Sequence, residues 1–321
     1  MKLIILIPAY NEEKTISNVI KKLPRKILGV EEIKILVIDD GSIDKTADIA
    51  RSLGAFVESH KNNQGVGTAF TTGITKSLEM GADIMVNIDA DGQFSPGEIP
   101  TLISPIINNE TDFVVGDRFV DKHGKLQKPE NMSEIKFWGN KRMSELISML
   151  TDKKYNDVSC GFRAYSKEAL LQLNLTGKFT YTQETFIDLS SKGLSIKTVP
   201  VSVKYFPDRN SRVANSILKY MIKTSKIIFR AYRDYKPLRF FGWMGLVNFV
   251  LGLVLGLVML LIYIRIGKFT PYKFIGFGGI YFVSLGILFW VVGLLADMFV
   301  KVRKTQEKIL YFEKKRRYDE D

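Results

Sequence analysis

Two long uncharged apolar runs, Phe240 to Ile264 and Phe274 to Ala296, constrain this chain more than any other feature. Each exceeds the roughly 20 residues that a helix needs to cross a bilayer core. One such run could be a buried core helix, but two in close succession read as a membrane hairpin. Lys219, Lys223, Arg230, Arg233 and Arg239 crowd the flank before it, and Lys301, Arg303, Lys304, Lys314 and Arg316 the flank after it. The connecting segment carries only Arg265, Lys268 and Lys273. By the positive-inside rule, both termini and everything ahead of the spans lie on the cytoplasmic side of the cell membrane.

The chain has 321 residues and a formal net charge of +12. A basic balance implies an anionic partner: nucleic acid, a phosphorylated substrate or a membrane surface. Nucleic-acid binding would explain the charge but not the two spans, so no nucleic-acid partner is expected. Cys160 is the only cysteine, which excludes an internal disulfide. His60 and His123 are the only histidines, too few for the usual zinc site. No Gly-x-Ser-x-Gly elbow supports a serine triad. Leu3 to Ile7 is too short for the apolar region of a signal peptide, and Pro8 ends it. It reads as a first buried strand.

Ahead of the spans, short apolar runs alternate with amphipathic segments. Strands are expected at Leu3–Ile7, Ile33–Ile38, Phe56–Glu58, Ile84–Ile88 and Phe113–Val115, with helices near 12–23, 44–53, 66–79 and 97–108. This alternation predicts an α/β domain with a mostly parallel sheet over residues 1–212. Residues 121–134 are polar and read as a loop. Residues 213–239 interleave lysine and arginine with large apolar side chains, as does a helix lying on a membrane surface. The spans then cover about 240–264 and 274–297, followed by a basic tail, 301–321.

Open α/β sheets bind ligands beyond the carboxyl ends of their strands. Three polar motifs fall there: Pro8-Ala9-Tyr10-Asn11-Glu12-Glu13, Asp39-Asp40-Gly41-Ser42-Ile43-Asp44-Lys45-Thr46, and Asp89-Ala90-Asp91-Gly92-Gln93. Each could be a plain turn or cap; the three together point to a site. Residues two apart on an extended chain face the same way, so Asp89 and Asp91 can aim both carboxylates at one point with Gln93 in reach. Such hard oxygen donors suit Mg²⁺ or Mn²⁺, with substrate phosphates completing the shell. Asn63-Gln64-Gly65-Val66-Gly67-Thr68 precedes a helix, where its glycines either admit a phosphate or fix the loop.

In this order and spacing, Pro-Ala-Tyr-Asn-Glu, Asp-Asp-Gly-Ser-x-Asp-x-Thr, Asn-x-Gly-x-Gly-x-Ala and Asp-Ala-Asp-Gly-Gln resemble glycosyltransferase family 2. Within it they resemble dolichyl-phosphate mannose synthases and related polyprenyl-phosphate hexosyltransferases. The resemblance spans residues 1 to about 220 and implies a GT-A nucleotide-sugar-binding domain that uses a divalent cation. It places Pro8, Tyr10, Glu12, Ile38, Asp40, Asp89, Ala90 and Asp91 around the nucleotide sugar, with Asp40 facing the base. Asp89, Asp91 and Gln93 would hold the metal. Gly116-Asp117-Arg118 matches the family's Gly-x-Arg, whose arginine meets phosphate near the reaction centre. Asp157-Val158-Ser159-Cys160-Gly161-Phe162-Arg163 resembles its Asp-x-x-Ser-Gly-Phe segment on the acceptor side, with Cys160 inserted. Arg209, Ser211 and Arg212 resemble the Arg-x-x-Gly-x-Ser-Lys loop, without its glycine and with arginine in place of lysine. Lys136 and Asn140 lie on the helix where relatives contact the acceptor phosphate.

The resemblance implies an inverting transfer of a hexose from GDP-mannose or UDP-glucose to dolichyl or another polyprenyl phosphate, for glycan assembly. Asp91, Arg118, Arg209 and Glu184 are its expected catalytic residues. Glu184 occupies the place of the carboxylate base in relatives with hydroxyl acceptors. Here it is either a base, an acceptor-positioning residue or an exposed first-turn glutamate. Transfer to a hydroxyl of a lipid-linked or membrane glycan is one alternative, although the Gln-x-x-Arg-Trp run of processive synthases is missing. A non-catalytic nucleotide-sugar sensor is another. The bilayer is an expected partner, and self-association is left open.

Overall fold

The computed structural model describes residues 1–121, 123–175, 181–205, 229–230 and 233–319. Arg209, Ser211 and Arg212 lie outside the described residues, as does most of the 213–239 segment. The chain divides into two compact units, Met1–Met221 with Tyr311–Asp321, and Ile222–Leu310.

The first unit is built on a seven-stranded sheet: β1 (Lys2–Ala9), β2 (Glu32–Asp39), β3 (Phe56–Ser59), β4 (Ile84–Asn87), β5 (Phe113–Asp117), β6 (Arg163–Ser166) and β7 (Ile196–Pro200). Its order is β3-β2-β1-β4-β6-β5-β7. Leu3 to Ile7 are all fully buried, as expected for a central strand covered on both faces. The helices are α1 (Ile16–Lys21), α2 (Thr46–Ser52), α3 (Val66–Glu79), α4 (Ile99–Ile107), α5 (Glu134–Thr151), α6 (Lys167–Gln172) and α7 (Tyr181–Ser191). A helix of period 3.6 buries one stripe, and in α3 that stripe is Gly67, Phe70, Ile74 and Leu78. Gly73 lets α3 approach β1 directly, since a Cβ there would sit 2.5 Å from Leu6 Cδ1.

The expected α/β architecture is borne out, with one reversal. β6 runs antiparallel to both neighbours, pairing Asn87 with Arg163 on one side and Val115 with Arg163 on the other. The amino end of β6 therefore lies at the edge where β4 and β5 have their carboxyl ends. This brings residues 157–163 to the ligand-binding edge of the sheet. The five strands read from the sequence are all present; β6 and β7 are additional.

The second unit contains α8 (Pro237–Ile266) and most of α9 (Lys273–Asp319). Both are long and apolar enough to cross a bilayer, with mean hydropathy of 2.7 and 2.2 over their most apolar stretches. They meet through glycines spaced seven apart. A Cβ on Gly252 would lie 2.6 Å from Val283 N, and one on Gly286 would lie 2.8 Å from Gly245 O. Small residues of this kind let membrane helices approach to backbone contact.

The basic segment after the second span is helical as far as Asp319, where α9 ends. Its last turns belong to the first unit. Lys314 Nζ donates to Leu173 O at 3.0 Å and Asn174 Oδ1 at 2.9 Å, Tyr311 Oη donates to Glu168 Oε2 at 3.2 Å, and Lys167 pairs with Asp319 at 2.6 Å. Removing one partner of a part-buried hydrogen bond costs about 1–3 kcal/mol. Lys314→Ala in the detergent-solubilised full chain is therefore expected to lower Tm by about 2–4 °C per kcal/mol lost. An unchanged Tm would show that the docked tail adds nothing to stability.

Candidate active site

The loops after β1 and β2 are tied together by the residues that make their motifs conspicuous. Asn11, in the left-handed region at φ 53°, donates its N–H to Ser42 Oγ at 2.9 Å. Its Oδ1 accepts from Ile43 N at 3.0 Å. Glu12 N donates to Thr46 Oγ1 at 2.8 Å, and Glu13 N to Asp44 Oδ2 at 3.2 Å. Pro8 and Ile38 face each other across the β1–β2 register, and Tyr10 follows at the strand end.

Asp40 is buried, at 3% exposure. Its Oδ1 accepts from Gln64 N at 2.9 Å and its Oδ2 from Gly65 N at 2.8 Å, at the amino end of α3. His60 Nδ1 lies 2.7 Å from Oδ1, and His60 Nε2 is 3.0 Å from Thr72 Oγ1. A helix amino terminus attracts anions, and here the chain's own carboxylate takes that place. The glycines of the 63–68 segment thus fix a loop rather than leave these two amides to a phosphate. Gly41 packs against the same loop, since a Cβ would sit 2.5 Å from the Asn62 carbonyl carbon at a φ of +74°.

Asp89 and Asp91 follow β4 side by side. Burial is the main cause that pushes the Asp89 carboxyl up, to about 7; Asp91 and Glu12 add to it, while Arg118 and Arg163 pull it back. Asp91 Oδ1 accepts from Gln93 N at 3.0 Å, and Gln93 O accepts from Lys204 N at 2.9 Å. Ala90 is buried between the two carboxylates in sequence. Among the described residues no cluster of three or more His, Cys, Asp or Glu is placed to hold a metal. The carboxylates of Asp89 and Asp91 repel each other, and such a half-buried pair would suit a divalent cation that shares its remaining positions with phosphate oxygens.

The reversed β6 supplies the opposite wall. Arg118 grips Asp157 with both ends of its fork, Nε to Oδ2 at 2.6 Å and Nη2 to Oδ1 at 2.9 Å, and its Nη1 donates to Tyr205 Oη at 3.0 Å. Ser159 Oγ donates to Asn140 Oδ1 on α5 at 3.0 Å. Asn87 Nδ2 donates to Gly161 O at 2.7 Å. Gly161 abuts the carboxylate pair, since a Cβ there would lie 2.8 Å from Asp89 Oδ2. Cys160 is fully buried, and burial pushes its thiol up to about 12, which leaves it unreactive. Lys136 lies exposed one turn before Asn140, and Glu184 lies in the first turn of α7. Sequence reasoning missed His60 as a residue that holds the site, and it reached Asp157 and Arg163 only as parts of a resembling acceptor-side segment, without their anchoring roles. Charged or polar side chains inside otherwise apolar stretches were the available signal.

The model of the family described as glycosyl transferase family 2 matches residues 4–173, more than half of the chain. The chain belongs to glycosyltransferase family 2. It is a glycosyltransferase with a GT-A fold. It is 35% identical over 238 residues to a UDP-N-acetylglucosamine–dolichyl-phosphate N-acetylglucosaminyltransferase of Methanococcus voltae, covering 68% of this chain and 92% of that protein. It is 30% identical to a dolichyl-phosphate hexose transferase of Haloferax volcanii, covering 62% and 81%. Among solved structures it resembles glucosyl-3-phosphoglycerate synthase of Mycobacterium tuberculosis in complex with Mn²⁺, UDP and product. That match has a TM-score of 0.52 and 24% identity, covering 71% of this chain and 79% of that one.

The carboxylate pair predicts two outcomes. A carboxyl whose folded pKa is raised keeps its proton in the folded state between about pH 4 and 7, so metal-free stability falls as pH rises through that window. Asp89→Asn should therefore raise Tm in EDTA at pH 8 by about 5 °C, with the gain fading towards pH 4, while it abolishes transfer. A pH-independent gain, or none, would contradict this burial penalty. Gly161→Ala should displace the Asp89 carboxylate and weaken Mn²⁺ binding about 10-fold or more, measured by titration of the full chain. Unchanged binding would remove Gly161 from the site.

Proposed function

We propose that this glycosyltransferase moves a sugar from a nucleotide-diphosphate sugar to the phosphate of dolichol or another polyprenol, with inversion at the anomeric carbon. The observation that carries this reading is the half-buried Asp89–Asp91 pair at the sheet edge of a chain with two span-length apolar helices. The acceptors named in the two curated relatives support it. The relatives' names also widen the donors to be considered from GDP-mannose and UDP-glucose to UDP-N-acetylglucosamine. The catalytic domain and both termini lie on the cytoplasmic side, supported by the basic flanks of the spans.

Asp89, Asp91 and Gln93 would hold Mg²⁺ or Mn²⁺, which when bound would supply positive charge to offset that developing on the leaving diphosphate. Pro8, Tyr10, Glu12, Ile38 and Ala90 line the donor side. Asp40 acts there through the 63–65 loop that it anchors. Arg118, Lys136 and Asn140, with Arg209, Ser211 and Arg212, serve the acceptor phosphate. Arginine suits that task through paired donors in a fixed plane.

A phosphate monoester has a second pKa near 6, so the attacking oxygen is already ionised at neutral pH. The reaction then needs no protein base, and Glu184 positions rather than deprotonates. General bases contribute about 10²–10⁴-fold, so Glu184→Gln should cost less than about 10-fold, whereas Asp91→Ala should leave almost no transfer. Equal losses would overturn the base-free reading. The decisive assay supplies membranes with radiolabelled UDP-N-acetylglucosamine, UDP-glucose or GDP-mannose and dolichyl phosphate, with and without EDTA. Label in the lipid fraction only with divalent metal is expected. Label in protein or polysaccharide, or transfer that survives EDTA, would reject the proposal.

A further inference from the structure

Arg163 opens β6 and is fully buried, at 0% exposure. Its guanidinium donates from Nε to Cys160 O at 2.6 Å, from Nη1 to Thr182 O at 2.7 Å and from Nη2 to Val158 O at 2.9 Å. All three acceptors are backbone carbonyls. The rings of Phe113 and Phe186 flank it, 5.7 and 5.2 Å from Cζ. Taking a guanidinium out of water costs several kcal/mol unless its surroundings recover the loss. A large apolar side chain would fill the same space among these rings without that penalty. A tie between segments that packing alone would leave independent is what the charge adds.

Those segments are the ones that meet the carboxylate pair. Val158 and Cys160 flank the stretch whose next residue, Gly161, abuts Asp89. Thr182 lies in the first turn of α7, immediately before Gln183 and Glu184, and Tyr181 beside it is close enough for Asp89 to push its phenol up further than burial alone. Asn87 holds the same Gly161 from β4 by its carbonyl. The positive charge of Arg163 reaches Asp89 and favours its ionised form.

We infer that Arg163 is a positioning residue for the donor-side cation site: by tying Val158 and Cys160 to Thr182, it holds Gly161 and the start of α7 around the Asp89–Asp91 pair. Arg163 touches neither donor nor acceptor in this role. The inference rests on the proposed reading of Asp89 and Asp91 as the cation-holding pair.

The test compares wild type, Arg163→Lys and Arg163→Gln as full chains in lipid nanodiscs. Lysine keeps the charge but cannot reach three separated carbonyls in one plane, and glutamine is neutral and smaller. Each protein is titrated with Mn²⁺ alone, free Mn²⁺ being read by electron paramagnetic resonance. KM is then measured separately for nucleotide sugar and for dolichyl phosphate, alongside Tm. In a folded variant, Mn²⁺ affinity should fall about 10-fold or more, as when residues behind metal ligands are changed. The donor KM should rise with it, and by a clearly larger factor than the acceptor KM. A folded variant with wild-type Mn²⁺ affinity and donor KM overturns the inference, as does an equal change in both KM values. If neither variant folds, Arg163 is a keystone of the domain rather than of the site, and the inference fails. If the wild type itself neither binds Mn²⁺ nor transfers sugar, the functional reading fails instead.

Discussion

A half-buried carboxylate facing a second carboxylate is expensive, and the edge of the sheet beyond β4 is organised around that expense. Asp89 lies beside Asp91 with Glu12 adding to the negative field, while Arg118 and Arg163 supply the opposing charge from the protein. Both arginines are themselves engaged, one by Asp157 and the other by three carbonyls. The pair is thus stabilised enough to exist and left repelling enough to favour a cation. Stability given up at this point is what a bound cation would recover, a common arrangement at functional sites.

The reversal of β6 makes this possible. A fully parallel sheet would carry the start of β6 to the opposite edge, away from the ends of β4 and β5. Because β6 is antiparallel, residues 157–163 lie at the site and can be anchored nearly residue by residue. Asp157 is held by Arg118, Val158 and Cys160 by Arg163, Ser159 by Asn140 and Gly161 by Asn87. Gly161 is the one position that must lack a side chain, because Asp89 occupies the space. A wall fixed by so many bonds has few alternative positions, which suits a site whose geometry must precede its ligand.

The strand ends were legible because hydrophobic runs and polar motifs alternate cleanly through residue 117. Leu3–Ile7 and Ile84–Ile88 announce strands by apolar continuity, and Asp89 and Asp91 stand out against that background. The same clarity misleads at Asn63–Thr68, where glycines before a helix suit a phosphate and a fixed loop equally. Only the position of Asp40, distant in sequence, decides between them. β6 and β7 escaped because their patterns are weak: Arg163-Ala-Tyr-Ser begins on a charge, and Ile196-Lys-Thr-Val-Pro is short and partly polar. A buried arginine answered by carbonyls leaves no sequence partner to find. The docking of Tyr311 and Lys314 on residues 168–174 is equally silent, since a basic helix reads as solvated until its acceptors are known.

The acceptor side sets the harder electrostatic problem. A phosphate acceptor would bring a second anion towards a diphosphate already beside two carboxylates, so free positive charge would seem the first requirement. Arg118 does not supply it freely, because Asp157 neutralises it through a bidentate pair. What the pair supplies is direction. A guanidinium carries five N–H groups in one plane, and three are committed to Asp157 and Tyr205 among the described residues. The remaining two are thereby aimed before any acceptor arrives, at no further cost in side-chain entropy. Arg118 would then orient the acceptor oxygen, with net positive charge supplied by more exposed groups such as Lys136. Holding two anions together would then be divided between a fixed fork that sets geometry and exposed cations that set charge.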